Sequence, residues 1–257
     1  MRKFLLLITL FIGFNSFGQV QWMNNFELAQ AKATAEGKFI VMDFWAIWCG
    51  PCKVMDRKMW NEESMNAYND KFVFLKVDVD SNPTLAMKYS ARTIPMVVIV
   101  DALGNSIWER TGFSNESPYM EAFKSFPSDR MPAEQLKKVA EDDDNALYAL
   151  GQWYQESGKS IENPTVSRAF ITESDSYFKQ IRKSDNELMA KEAEFNLILN
   201  QAYRGATAKA MKKVQKMEEN DMKNFILAYC YKCEGQTEKM KEFVAKIESE
   251  ELAARLD

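Results

Sequence analysis

Trp48-Cys49-Gly50-Pro51-Cys52-Lys53 follows an apolar run, Phe39 to Trp45, and precedes a helical pattern that begins at Val54. This order sets two thiols at the junction of a strand and a helix. The unpaired N–H groups and the positive dipole end of a helix N-terminus favour a thiolate there, so Cys49 is expected to ionise more readily than a free cysteine and to act as a solvent-accessible nucleophile. Gly50 permits a tight loop, and Pro51, which lacks an N–H, suits a first helical turn. A structural disulfide or half of a zinc site is the alternative reading of the same spacing.

The rest of the chain narrows the chemistry. Arg2 and Lys3, the apolar stretch Leu5 to Phe14 and the small residues Ser16 and Gly18 read as an export signal over residues 1–18. The apolar run is about half of the ~20 residues needed to span a bilayer, and no cysteine follows it to carry a lipid. Without that segment the chain holds 31 basic and 37 acidic residues, a net charge of −6. Lysines and arginines are interleaved with carboxylates, a pattern that argues against nucleic acid as a partner. The chain has no histidine, so mechanisms that depend on an imidazole are excluded, as is c-type haem attachment. An exported chain with a Cys-x-x-Cys points to redox chemistry on other exported proteins, where disulfides form and persist.

Residues 19–126 alternate helical and strand patterns in the manner of an α/β domain. A helix is expected from Phe26 to Glu36, ending at Gly37, and a strand from Phe39 to Trp45. The active-site helix is expected to run to Trp60, with a further helical stretch capped by Asn61. Phe72 to Val79 reads as a strand. Asn82-Pro83 opens a helix that ends near Ser90, and Met96–Val100 pairs as a hairpin with Ser106–Thr111. A final helix spans Tyr119 to Phe126. Residues 127–132, with Pro127 and Pro132, read as a linker, and residues 133–257 as an all-α domain of helical hairpins. Expected helices lie near 133–142, 145–157, 166–182, 186–203, 206–218, 221–234 and 236–255, with breaks that include Gly158 and Pro164. Leu150-Gly151-x-x-Tyr154 and Ala228-x-x-Tyr231 partly match tetratricopeptide first helices, without a regular 34-residue period.

The order W-C-G-P-C-K, preceded by Asp43-Phe44-Trp45-Ala46 and followed by Thr93-Ile94-Pro95, resembles the thioredoxin family over residues 22–126. The resemblance implies a thioredoxin-like α/β fold and a thiol-disulfide oxidoreductase that needs no cofactor and no metal. It assigns Cys49 as the attacking thiol and Cys52 as the resolving one. Asp43 becomes a buried acid/base behind Cys52, with burial raising its pKa and Lys76 opposing the rise. Trp48, Gly50 and Pro51 would form the substrate rim, and Ile94 with a cis Pro95 would pair with the substrate backbone. Arg57 stands where thioredoxins usually carry a kinking proline. The stretch around it is more similar to thioredoxin-like domains of exported or membrane-relay reductases.

The expected partners are therefore disulfide-containing exported proteins and a separate electron donor, such as a membrane reductase, in the periplasm or a similar exported compartment. The Gly-Pro dipeptide resembles the reducing end of the family. Two other classes compete: a protein-binding module or chaperone acting through the helical domain, and copper handling through paired thiolates. Cys230 and Cys233 fit structural thiols, a static disulfide, a secondary redox pair or a soft-metal site. Glu141-Asp142-Asp143-Asp144 lacks the spacing of a calcium loop and reads as a solvated helix boundary. Met211, Met217 and Met222 read first as core filling and second as a binding face.

Overall fold

A computed structural model describes residues 20–139 and 143–256. The expected export signal and the acidic residues Glu141 and Asp142 lie outside the described residues. Phe39–Trp45 forms β2, the central strand, and six of its seven residues are buried, as a strand covered on both faces requires. It pairs in parallel with β3 (Phe72–Asp78) on one side and antiparallel with β4 (Met96–Val100) on the other. A two-residue strand, β1 (Trp22–Met23), joins the outer edge of β3, and β5 (Ser106–Thr111) joins β4, giving the order β1-β3-β2-β4-β5. β1 is too short to carry an alternating pattern, and the sequence reading does not contain it.

Local chemistry sets the helix ends. The α1 helix (Phe26–Glu36) starts where Asn25 Oδ1 accepts from Leu28 N at 2.8 Å, and it stops at Gly37, which adopts φ 64°. The active-site helix does not run on as a regular α-helix. α2 covers Gly50–Met55 and passes into a π-helical turn over Asp56–Trp60, where Asn61 N donates to Asp56 O. Asn61 thus closes that turn instead of capping the next stretch, a 3-10 turn over Glu63–Tyr68. α3 (Pro83–Lys88) has Pro83 in its first turn, but the Asn82 side chain does not cap it; its Nδ2 donates to Asp78 O instead. α4 (Ser117–Ser125) completes the α/β region.

Among the described residues eight further helices follow: α5 (Ala133–Val139), α6 (Asp144–Ser160), α7 (Pro164–Ile181), α8 (Glu187–Tyr203), α9 (Thr207–Val214), α10 (Asp221–Cys233), α11 (Thr237–Val244) and α12 (Glu250–Ala254). The fold class is therefore a thioredoxin-like α/β domain followed by a helical-hairpin region. The last expected helix is split in two between Val244 and Glu250. Gly158 is not a break. It lies inside α6, where Ile171 of α7 packs so closely that a Cβ would meet its Cδ1 at 2.7 Å, and Ser167 Oγ donates to Gly158 O.

Two hairpins repeat one another. Asn196-Leu-Ile-Leu199 with Tyr203, Gly205, Thr207 and Lys209 matches Asn224-Phe-Ile-Leu227 with Tyr231, Gly235, Thr237 and Lys239. Both asparagines are buried and both glycines have positive φ. The second copy carries two extra residues between its tyrosine and its glycine, which hides the period.

The expected linker is a docked segment. Met131 is 2 % exposed, and its N–H donates to Gly37 O at 2.9 Å. One continuous apolar core runs from Val20 to Leu197, across the boundary between the α/β and helical regions. Phe39 of β2 meets Phe126, Phe170 and Trp153 with ring centroids 4.9, 5.6 and 6.1 Å apart. A second core, from Phe195 to Leu256, fills the C-terminal hairpins, and α8 contributes to both.

Candidate active site

β2 delivers the chain to a tight turn, Ala46 to Cys49, closed by Cys49 N donating to Ala46 O. Cys49 is the N-cap of α2, and its Sγ accepts from Cys52 N at 3.1 Å. That sulfur therefore takes the role a Ser or Asp oxygen plays at other helix starts, and a negative charge on it is favoured. Cys49 and Cys52 are joined in a disulfide with Cα atoms 5.3 Å apart.

Around the sulfurs lie Ala46, Trp45, Val79 and Ile94. The Ile94–Pro95 peptide is cis, and Pro95 O accepts from Gly112 N, which ties this loop to the end of β5. Cys49 is only 3 % exposed and Cys52 2 %. The freely accessible sulfur expected from the sequence is thus absent in the oxidised pair, because the S–S bond turns both sulfurs towards each other under this apolar collar. Exposure lies instead on the rim, with Ile47 at 71 % and Trp48 at 65 %.

Trp48 is held in place by Asp80, whose Oδ2 accepts from the indole Nε1 at 2.8 Å. Asp80 lies just beyond β3, and its own N–H donates to Asp78 Oδ1. The sequence reading missed this residue; the signal was the register Trp45↔Asp78, which sets the loop after β3 beside the Cys-containing turn. Gly50 does not play the part first given to it. Its φ is not positive and nothing lies within 4 Å of an added Cβ, so the turn does not need a glycine. What it leaves is open space beside the sulfurs. Pro51, in the first turn of α2, is exposed.

Asp43 and Lys76 are directly opposite each other on β2 and β3, and Lys76 Nζ lies 2.8 Å from Asp43 Oδ2. Asp43 is 2 % exposed, and its Oδ1 has no hydrogen-bond partner among the described residues. Burial pushes the Asp43 carboxyl above its ordinary range; the Lys76 charge and hydrogen bond pull it back, and the nearby Asp56 adds to the rise. Lys76 is also paired with Asp56 of the π-helical turn, and it sits over the rings of Trp22 and Trp45 at 4.7 and 5.5 Å. Asp56 is the second residue that sequence reasoning missed, because only the helical geometry after Cys52 aims it at Lys76.

The second cysteine pair is not part of this site. Cys230 is buried in the C-terminal core while Cys233 is exposed, and both are free thiols. Burial, then the neighbouring Cys233 and Glu234, pushes the Cys230 thiol up to about 12. Met211, Met217 and Met222 pack against the same core. Among the described residues no group of three or more cysteine, aspartate or glutamate side chains is arranged to hold a metal ion. Asp143 caps α6 through Ala146 N, and Asp144 accepts from Ser184 Oγ.

A family model described as thioredoxin-like matches residues 21–102. Thioredoxin-T of Drosophila melanogaster is 39 % identical over 77 residues, which cover 30 % of this chain and 48 % of that protein. A thioredoxin of Griffithsia pacifica is 43 % identical over 60 residues, 23 % of this chain and 53 % of its own length. The chain thus spans about half the length of these curated relatives. A solved thioredoxin structure from Malassezia sympodialis is 31 % identical, covers 42 % of this chain and 90 % of that one, and aligns with a TM-score of 0.35. The matched stretch, residues 21–102, with the disulfide at the start of α2, is thus similar to thioredoxins.

Proposed function

We propose that this protein is an exported thiol-disulfide oxidoreductase that reduces disulfides in other exported or envelope proteins. The observation that carries the reading is the Cys49–Cys52 disulfide with Cys49 as N-cap of α2, its sulfur accepting the Cys52 N–H. In the reduced state the same N–H and the helix dipole stabilise a Cys49 thiolate.

That thiolate attacks one sulfur of a substrate disulfide. A mixed disulfide forms, and the other substrate sulfur leaves as a thiolate that takes up a proton. Cys52 then passes its proton to the Asp43 carboxylate and attacks Cys49 Sγ. The intramolecular disulfide closes, the mixed disulfide breaks, and the second substrate sulfur leaves as a thiolate that takes the proton from the Asp43 carboxyl. A separate dithiol donor, such as a membrane reductase, returns two electrons and two protons to reset the pair.

The buried sulfurs restrict how a substrate enters. Ile47, Trp48 and Pro51 form an exposed rim and Gly50 a gap in it, while the Ile94–Pro95 loop offers backbone for an extended chain to pair with. The helical region, sharing a core with the sheet, holds a fixed position relative to this rim and is suited to select which chains approach it.

Insulin reduction by the reduced protein tests the assignment. Cys49→Ser is expected to abolish turnover, and Cys52→Ser to accumulate a mixed disulfide with substrate. Retained turnover in Cys49→Ser would refute the reading. Partner binding that survives loss of both thiols, without any reductase activity, would favour a binding module.

A further inference from the structure

Lys76 serves two carboxylates at once. Its Nζ lies 2.8 Å from Asp43 Oδ2 and is also paired with Asp56 Oδ1. The two acids differ in surroundings: the Asp43 side chain is 3 % exposed and the Asp56 side chain 30 %. Asp56 is also tied to the reacting cysteine. It lies four residues after Cys52, its N–H donates to Cys52 O, and an i, i+4 pair shares one helix face. The same helical turn that carries Cys52 thus carries the acid that reaches the Lys76–Asp43 pair.

We infer that Asp56 is a positioning residue for the proposed reaction: by sharing the Lys76 ammonium with Asp43, it keeps Asp43 able to accept and return the Cys52 proton. The inference rests on the thiol-disulfide reading given above. Alone beside Lys76, Asp43 would have a full counter-charge holding it as a carboxylate, a weak base for a thiol. With Asp56 drawing on the same cation, the three groups carry net negative charge, and the buried member gains most from a proton. Other groups facing this centre are the Trp60 indole N–H, which favours the Asp43 carboxylate, the Tyr119 phenol of α4, itself under the influence of Asp43 and Arg110, and the Trp22 and Trp45 rings over Lys76. None of them supplies a second cation to Asp43.

The test uses the full chain with Asp56→Asn, which keeps an acceptor for Lys76 and removes the charge, and Asp56→Glu, which restores it. Carbon-13 NMR titration of the Asp43 carboxyl in the oxidised protein reads the coupling without any activity. Asp56→Asn is expected to lower the Asp43 midpoint by about one pH unit, and Asp56→Glu to return it towards the parent value. In insulin reduction, Asp56→Asn should move the acid limb of the pH profile down and slow release of the mixed disulfide roughly three- to tenfold at neutral pH. An Asp43 midpoint that stays put or rises in Asp56→Asn overturns the inference. So does a shifted midpoint with an unchanged pH profile in an active enzyme. A parent protein that reduces no disulfide overturns the reductase reading and the catalytic half of this inference together, while the titration still decides the electrostatic half.

Discussion

Gly37 and Met131 approach each other so closely that no side chain fits between them. Met131 N donates to Gly37 O at 2.9 Å, and a Cβ built on Gly37 would lie 2.3 Å from Met131 O. The glycine that ends α1 in a left-handed conformation is therefore also the seat on which the segment leading to the helical region rests.

Gly37→Ala is expected to be costly on both counts. The positive φ alone costs an L-residue about 1–2 kcal/mol, and the contact is with backbone, which has little room to give. Thermal unfolding should show a loss of about 2 kcal/mol or more. Proteolysis should also cut the 127–132 segment faster in the variant than in the parent. An unchanged melting temperature would mean that the docking seen between the two regions is not a stability element.

Much of the α/β region was legible in the sequence, because its signals are local. Buried runs such as Phe39–Trp45 and Met96–Val100 announce strands, Gly37 ends α1, and Gly104-Asn105 turns β4 into β5. The Cys49–Cys52 motif at a strand-helix junction was legible for the same reason. What was missed depends on contacts between distant residues. Asp80 finds Trp48 across 32 positions and Asp56 finds Lys76 across 20, and nothing in their own neighbourhoods marks them. Gly158 was misread because a glycine that admits Ile171 looks in sequence like one that ends a helix. The buried network of Gln155, Ser174, Asp175 and Asn200, closed by the Arg204–Asp175 pair, was hidden because polar residues on a helix read as its wet face.

A second consequence of the shared core is a pH dependence. Glu173 of α7 is pushed up to about 7 by burial and by the nearby Asp101, itself a fully buried acid that accepts from Tyr154 OH at 3.1 Å. A carboxyl whose folded pKa exceeds its unfolded value binds more protons in the folded state. Its contribution is therefore complete below about 4.5 and is lost as pH rises to about 7. Glu173→Gln mimics the protonated form. The variant should melt with the parent at pH 4.5 and be more stable at pH 8 by roughly 1–3 kcal/mol. Equal melting temperatures at both pH values would show that Glu173 is solvated in the folded protein.

The two remaining thiols differ enough to be counted separately. Cys233 is exposed, in the two-residue extension that distinguishes the α10–α11 hairpin from its α8–α9 counterpart, whereas Cys230 is fully buried with its thiol pushed up to about 12. The thiolate is the reactive form, so at pH 8 Cys230 offers on the order of a thousandfold less of it than an ordinary cysteine. In the oxidised native protein, a thiol reagent should therefore titrate one fast equivalent, removed by Cys233→Ser, and reveal a second only on unfolding. Reduction beforehand should add the Cys49 and Cys52 thiols to the count. Two fast equivalents in the oxidised native protein would show that the end of α10 opens readily, and none would show that Cys230 and Cys233 form a disulfide and belong with the redox chemistry after all.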